Sequence, residues 1–290
     1  MKLRPITRED SALATSLLAE GFPALAETTW QDSLTRIFDY VEQRGEHAIG
    51  SIVTASRGDL GICLAIPAER HAFAQPPSTV INLACFYMRP GEEWRTPLVL
   101  KRLMAQASAT YLDLTASPVM RELNRKIGFV DQARGMVIVP LLPAALRPSP
   151  NVRLHALGSA AATQLEKRLR ELLAAHQALG CVALIVEWQG ALHPVILAPG
   201  RRKGVAGARV ILAPSRALLR DAAGALARHL LSRGYLFMDF DGDGKEGFPP
   251  ALFWTRSPPV QVLGAHDAEA IDLTFSELVF IPPAGLLNGA

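Results

Sequence analysis

The chain has 290 residues, of which 49% are hydrophobic, and it carries a formal net charge of +3. This length predicts two domains of ordinary size, and so small a net charge gives no electrostatic reason to expect a nucleic-acid partner. Proline or charged residues interrupt the apolar runs before the roughly 20 residues that a membrane span requires, so no membrane partner is expected.

The first half of the chain predicts strands alternating with helices. The predicted elements are a strand (Leu3–Ile6), a helix opened by Asp10, a helix near Trp30–Arg44, strands around Ser51–Ala55, Gly61–Ile66 and Thr79–Tyr87, a loop (Met88–Thr96), a helix (Pro97–Ala109), a strand (Tyr111–Thr115), a helix (Pro118–Ile127) and a strand (Met136–Leu142). Pro97 suits a first helical position, and Gly128 suits a helix end. Val119, Leu123 and Ile127 recur every four residues and predict one apolar face of the last helix.

A proline-rich connector at 143–150 predicts a boundary between domains at 1–145 and 151–290. After it the sequence predicts a strand (Val152–Leu157), a helix (Ala160–His176), strands Cys181–Trp188, Leu192–Leu197 and Ala208–Ala213, a helix (Arg216–Arg233) and strands Tyr235–Phe240 and Leu278–Ile281. Through the fifth strand this order repeats that of the first half. The repeat predicts an α/β (α+β) protein of two tandem lobes, each a mixed, mostly antiparallel sheet flanked by helices.

Three cysteines, Cys63, Cys85 and Cys181, lie singly within apolar segments. Their spacing matches neither a disulfide framework nor a metal site. Buried free thiols are typical of a reducing compartment, and the first ten residues contain no apolar segment typical of a signal peptide. We therefore expect a cytoplasmic protein without a bound metal.

Residues 78–142 resemble the core of the GCN5-related N-acetyltransferases (GNATs), which use acyl-CoA. Three segments carry the resemblance: the strand Asn82–Met88 (NLACFYM), the loop arginine Arg95, and Leu123–Phe129 (LNRKIGF). The resemblance implies a GNAT-like acyltransferase lobe at 1–145 and a second, degenerate GNAT-like lobe at 151–290. In the second lobe, Pro249-Pro250 and Pro258-Pro259 stand where the second core helix would lie, and prolines break helices.

The resemblance implies a site for acetyl-CoA or another acyl-CoA. Backbone groups of the strand end would contact the pantetheine arm, and a loop arginine with helix N–H groups would bind the pyrophosphate. The implied positions are Phe86, Tyr87, Met88, Arg95, Leu98 and Val99. The two glycines that the family has in this loop are replaced here, and Pro97 removes one N–H donor.

The family's usual general acid is a tyrosine on the second core helix, and that position is Asn124 in this chain. Asparagine has no acidic proton at neutral pH, so Tyr87 is considered as a proton donor and Asp113 as a base. For both residues a second interpretation stays open. A strand tyrosine usually packs, and the alternation around Asp113 predicts a solvent-facing side chain.

The predicted function is N-acyl transfer from acyl-CoA to an amine of a small molecule or peptide, in a monomer or homodimer. Phe22 and Trp30 are the expected acceptor contacts. The alternative is a catalytically degenerate GNAT-like protein that binds a ligand or partner. The missing glycines and tyrosine favour the alternative, whereas the order of core elements and Arg95 favour the enzyme.

Two further motifs admit structural interpretations. Asp239–Gly244 (DFDGDG) matches the start of a calcium loop, but Pro250 replaces the final glutamate, so a turn at a strand end is favoured. Arg201-Arg202-Lys203 indicates either a phosphate contact or a solvated hairpin tip, and the tip is favoured.

Overall fold

The computed structural model of the protein describes residues 1–70, 73, 78–106, 108–244, 247–248, 250–257, 259–265 and 269–282. Two mixed sheets, each flanked by helices, make up the described part of the chain. The predicted fold class is confirmed.

The first half follows the predicted order of elements. It contains β1 (Lys2–Pro5), α1 (Ser11–Gly21), α2 (Glu27–Gln43), β2 (Gly50–Ala55), β3 (Gly58–Arg70), β4 (Ser78–Met88), α3 (Thr96–Leu103), β5 (Thr110–Asp113), α4 (Pro118–Lys126), β6 (Val130–Asp131), β7 (Gly135–Pro140) and α5 (Leu141–Ala145). Helix α3 ends six residues before the predicted end. The Tyr111 hydroxyl donates to the Leu103 carbonyl and accepts from the Gln106 N–H, and so fixes a turn there.

The second half contains β8 (Val152–His155), α6 (Lys167–Ala178), β9 (Val182–Trp188), β10 (Ala191–Arg202), β11 (Val205–Ala213), α7 (Arg216–Leu231), β12 (Phe237–Gly242), β13 (Leu252–Trp254), β14 (Gln261–Leu263), β15 (Ile271–Asp272) and α8 (Glu277–Phe280). The helix predicted at Ala160–His176 is divided, because the chain is extended at Leu165 between a 3₁₀ turn and α6. Pro249, Pro258 and residues 283–290 lie outside the described residues.

The strand predicted at Leu278–Ile281 is wrong, because this segment forms α8. A short apolar run does not distinguish a strand from a buried helical turn by its periodicity. Here the Ser276 hydroxyl donates to the Leu273 carbonyl just before the helix, and Phe280 is buried in the core between α2 and the first sheet.

The two sheets have the same strand order but exchange one strand. The first sheet runs β1-β2-β3-β4-β5-β14-β6, and the second runs β8-β9-β10-β11-β12-β7-β13. In each sheet one parallel pair, β4–β5 or β11–β12, interrupts an otherwise antiparallel arrangement. Position six of each sheet is filled by a strand from the other half of the chain.

A continuous core joins the halves. Leu112 lies on β5 and Leu114 just beyond its end. Both pack in the same hydrophobic cluster as Val139 of β7 and Phe240 of β12. Sheet membership therefore crosses the predicted boundary, and the division at 145–151 into separate units stays a prediction. Within the described residues, none of the helices is long and apolar enough to cross a membrane.

Candidate functional site

The first sheet splits between β4 and β5. Their parallel pairing ends at Leu83 opposite Asp113, while β4 continues to Met88 with β3 on its other side. In the described part of the chain, no strand pairs with residues 84–88 on the β5 side. Backbone groups of this segment therefore line an opening between the two strands.

A β-bulge shapes the β4 side of the opening. Between the pairs Ile62–Tyr87 and Leu64–Ala84, β4 has one residue more than β3, and Cys85 has a φ of +51°. Gly61 lies opposite the end of β4, where an added Cβ would stand 2.3 Å from the Tyr87 carbonyl oxygen. The bulge and the close approach turn the end of β4 away from β5.

The second sheet splits at the matching place, but its opening is filled. The β11–β12 pairing ends at Arg209 opposite Asp239, and a bulge follows where Ile211 lies between residues paired with β10. β15 then pairs with Leu212 and Ala213, and the Leu273 N–H donates to the Ile211 carbonyl at 2.7 Å. Backbone that is open in the first sheet is therefore hydrogen-bonded in the second.

The N-terminus of α3 follows the open strand end. Arg95 precedes it, with its Nε 2.5 Å from Glu92 Oε2 and its guanidinium over the Trp94 ring. The side chain of Leu98 is half exposed, whereas that of Val99 is buried against Met88. The helix thus offers backbone donors and one arginine that is already paired with a carboxylate.

Tyr87 lies across α1 at the mouth of the opening. An added Cβ at Gly21 would stand 2.4 Å from its ring, and its hydroxyl donates to Glu20 Oε1 at 2.9 Å. Partial burial and this hydrogen bond raise the pKa of Tyr87. Arg89 also binds Glu20, so the phenol belongs to a surface network that neutralises that carboxylate.

Asn124 and Asp113 form a buried pair between α4 and β5. Asn124 is fully buried, and its amide nitrogen donates to Asp113 Oδ2 and to Gln261 Oε1, both at 2.9 Å. Burial raises the pKa of Asp113 to about 6. The solvent-facing interpretation of Asp113 was wrong, because α4 covers that face of β5.

Gln261 had no signal in the sequence, because it lies on β14 and reaches Asn124 only through the strand exchange. The apolar face predicted for α4 is also incomplete. Val119 is 82% exposed, whereas the polar Asn124 is the residue of α4 that is buried.

The two residues expected to contact the acceptor are neighbours in the structure but differ in exposure. Trp30 is only 1% exposed and packs in the core, with its ring centroid 5.9 Å from that of Phe22. Phe22 keeps some exposure beside the α1–α2 turn. Helix α2 directs the Trp30 side chain into the core, which leaves almost none of its surface for an acceptor.

A cavity between the two sheets lies next to the end of β5. Thr115 and Leu278 line it from one side, and Arg202, Arg209 and Asp239 line it from the second sheet. Its volume is about 70 Å³, which is room for a few water-sized groups, since one water needs roughly 10–15 Å³ by this measure.

Ion pairs form the polar wall of this cavity. Arg202 Nε lies 2.7 Å from Asp239 Oδ2, and Arg209 Nη2 lies 2.5 Å from Asp241 Oδ2. Arg202 is therefore not part of a solvated tip, and Asp239 and Asp241 belong to β12 rather than to a turn. In the described residues, no group of three or more His, Cys, Asp or Glu side chains is placed to bind a metal ion.

Glu277 is a second residue that the sequence did not indicate. It is fully buried at the start of α8, and Thr115 Oγ1 donates to its Oε1 at 3.3 Å. Only the fold brings this late residue to the end of β5, so its spacing in the sequence carried no information. The free cysteines Cys63, Cys85 and Cys181 are buried as predicted.

Solved structures provide the comparison. A GCN5-related N-acetyltransferase from Anabaena variabilis has a TM-score of 0.56 at 12% identity, over 90% of this chain and 72% of that one. A putative acetyltransferase from Pyrococcus horikoshii has a TM-score of 0.55 at 16% identity, over 97% and 95%. A probable N-acyltransferase from Enterococcus faecalis has a TM-score of 0.53 at 9% identity, over 94% and 73%.

No protein-family model matches the sequence, and no curated protein matches it at a significant level. Identities of this size show the fold and leave the activity open. The strand order, the split beside a bulged fourth strand and the three structural neighbours all indicate the same fold. The chain therefore has the fold of the GCN5-related N-acetyltransferases, in a divergent two-lobed form.

Proposed function

We propose that the protein is an acyl-CoA-dependent N-acyltransferase whose thioester binds in the open split of the first sheet. The observation that carries this proposal is the bulged segment 84–88 of β4, which pairs with β3 but with no strand on its β5 side in the described part of the chain. Free backbone N–H groups at such a position can polarise the thioester carbonyl. Catalysis would rest on this polarisation and on the positioning of the two substrates.

The acyl-CoA would lie along the end of β4 and across α3. Backbone groups of Phe86, Tyr87 and Met88 would contact the pantetheine arm. The pyrophosphate would bind the N–H groups of Leu98 and Val99 at the helix N-terminus. Arg95 would exchange Glu92 for phosphate, which requires breaking an existing ion pair.

The acceptor would be an amine of a small molecule or peptide that enters through the cavity between the sheets. Thr115 lines this cavity at the end of β5, where the split begins. Asn124 and Asp113 would act as positioning residues, because their buried hydrogen bond fixes β5 and α4. Three buried free thiols favour a reducing compartment such as the cytoplasm.

A second candidate function is acyl-CoA binding without turnover. Two observations favour it: Asn124 is buried where the family has its acid, and Arg95 is already paired with Glu92. Release of free thiol from acyl-CoA across a panel of amines separates the two candidates. Enzyme-dependent release supports transfer, and binding without release supports the second candidate.

Arg95→Ala tests the placement of acyl-CoA. The variant should bind free CoA about 10–150-fold more weakly, since a hydrogen bond to a charged group contributes roughly 1.5–3 kcal/mol. The measurement is isothermal titration of the native protein and the variant. Arg220→Ala is the matched control, because Arg220 lies half exposed on α7, the helix that follows the filled split. Unchanged affinity in Arg95→Ala would remove α3 from the site.

A further inference from the structure

The carboxyl group of Glu277 lies where β4 and β5 diverge. Its Oε1 accepts a hydrogen bond from the hydroxyl of Thr115, which lies two residues past the last paired residue of β5. Burial and, after it, the Glu277 charge raise the pKa of the buried Cys85 thiol in the β4 bulge. A residue of the second half thus reaches the apex of the open split in the first sheet.

A rigid segment, the strap (Leu273–Ile281), holds Glu277 in this position. The Phe275 ring stacks on Tyr40 of α2 with centroids 4.3 Å apart, and the Phe275 N–H donates to His176 Nε2 of α6. Phe280 is fully buried in the core of the first sheet. Because both halves anchor the strap, the carboxyl group is fixed before any substrate arrives.

The surroundings of Glu277 do not favour a charged carboxylate. The ionisable groups that face it are the Asp113 carboxyl and the Cys85 thiol, and its Oε2 has no hydrogen-bond partner. Burial and the nearby Asp113 raise the pKa of Glu277 to about 8. An apolar residue would pack there at lower cost, and ionisable groups kept in such places are frequently functional.

The cavity between the sheets gives an acceptor a path to this group. Thr115 and Leu278 line the cavity. The Thr115 hydroxyl donates a hydrogen bond to Glu277, and Leu278 follows Glu277 in α8. Glu277 itself is fully buried behind these two residues, so an amine held at this end of the cavity would reach its carboxyl group through the Thr115 hydroxyl.

We propose that Glu277 is the proton-transfer residue of the acyl transfer, supplied to the first sheet by the second half of the chain. As the amine nitrogen bonds to the thioester carbon, the Glu277 carboxylate takes a proton from that nitrogen through the Thr115 hydroxyl. As the carbon–sulfur bond breaks, a proton returns by the same route to the sulfur of CoA. The products are the amide and free CoA, and the carboxylate is restored. Glu277 would thereby replace the acid that Asn124 cannot provide.

This inference rests on the proposed acyltransferase function, and one experiment tests both. Thiol release from acetyl-CoA with the best amine of a panel is measured between pH 6 and 10 for the native protein, Glu277→Gln and Glu277→Asp. Glu171→Gln, an exposed carboxylate on α6, is the control. Melting temperature with and without acetyl-CoA is recorded for each protein. Gln has the shape of a protonated Glu, so the variant should keep the fold.

We expect kcat of Glu277→Gln to fall at least 10²-fold, the usual range for proton-transfer catalysis, with the acetyl-CoA melting shift retained. The native kcat should rise with pH through about 8, where Glu277 ionises, and the residual activity of Glu277→Gln should lack this rise. Glu277→Asp should retain the rise at reduced kcat.

Three results would overturn the inference. Native kcat in Glu277→Gln, or an unchanged pH dependence, would remove Glu277 from proton transfer while leaving the transferase intact. Native kcat in Glu277→Asp together with an unfolded Glu277→Gln would assign the residue a structural role. If the native protein releases no thiol with any amine, the proposed function and this inference both fail.

Discussion

The two sheets of this protein have the same strand order, but the split is open in one sheet and filled in the other. Each has a parallel fourth–fifth strand pair followed by a bulge, and each therefore splits at the same place. In the first sheet the backbone of β4 stays open, whereas β15 fills the corresponding space in the second. The split in the first sheet thus stays open. The segment that fills the split in the second sheet, β15, leads directly into the strap and Glu277.

The exchange of β7 and β14 makes each sheet depend on a strand from the other half of the chain. Each sheet needs a strand from the opposite half to connect its fifth position to its outer strand. The second half is therefore necessary for the first sheet, even though the split in its own sheet is filled by β15.

Separating the halves should have the largest effect. Residues 1–145 expressed alone lack β14 between β5 and β6, and residues 151–290 lack β7 between β12 and β13. We expect neither fragment to show the cooperative unfolding of the native protein, as measured by circular dichroism during urea titration. The physical reason is that β5 and β6, or β12 and β13, lose the strand that satisfies their backbone hydrogen-bonding groups in the native protein.

Co-expression of the fragments provides the control, since the exchanged strands should bring them together as one complex. Native protein cut by a protease within 147–150 should likewise remain associated. A fragment that unfolds cooperatively on its own would show that the halves are independent, and the exchange would then be only an addition to two complete lobes.

Asn124→Tyr should destabilise the junction between the halves. The position is fully buried and the amide donates to Asp113 of β5 and Gln261 of β14. The larger ring overpacks the site at a cost of roughly 1–3 kcal/mol, and the two lost hydrogen bonds add about 1 kcal/mol or more each. Urea unfolding of the native protein and the variant measures the loss.

Val119→Tyr is the matched control on the same helix, because Val119 is 82% exposed, and its effect should stay within about 0.5 kcal/mol. If Asn124→Tyr instead retains native stability and releases thiol faster, position 124 faces the thioester as the resembled family implies.

The smallest expected effect is a pH dependence of stability from the strap. The folded state raises the pKa of Glu277 to about 8 from the ordinary 4.5. Between these values the unfolded chain releases a proton that the folded protein retains, so unfolding becomes more favourable as pH rises. From pH 6.5 to 8 we expect a loss of about 1–2 kcal/mol, since each pH unit corresponds to about 1.4 kcal/mol.

Neighbouring groups titrate lower in the folded protein, with pKa values of about 6 for Asp113 and about 4 for His176. His176 still ionises in the unfolded chain near its ordinary pKa of 6.5, so the effect of Glu277 is isolated by the difference between the native protein and Glu277→Gln from pH 6.5 to 8. Urea unfolding across this window, for the native protein and for Glu277→Gln, gives the comparison. Parallel stability curves for the two proteins would mean that Glu277 is not held in a protonated, buried state.

Local features of the sequence predicted most elements of the fold. Pro118 and Gly128 bound the second core helix of the first half, and the strand order of the second half repeats that of the first. The predictions failed where contacts decide the conformation. Tyr111 ends α3 early, and the apolar run at 278–281 becomes a helix because the core accepts Phe280.

The candidate site was predictable only in part. The residues of β4 and Arg95 follow one another within a short stretch, so a pattern in the sequence could place them near one cleft. Asp113 was misjudged, because strand alternation shows which face a side chain takes but not which helix covers that face. Gln261 and Glu277 had no signal, since each lies more than 130 residues from its partner in the first half.

The sequence by itself determined the order of most strands and helices, the two-lobed class of fold and the absence of the glycines and tyrosine of the family that it resembles. These follow from local propensity, chain stiffness and residue identity. Tertiary structure alone decided that β7 and β14 change places, that β15 fills one split, and that Glu277 enters the other. Strand pairing is set by the burial of faces and backbone groups between distant segments, and a linear sequence does not state which segments meet.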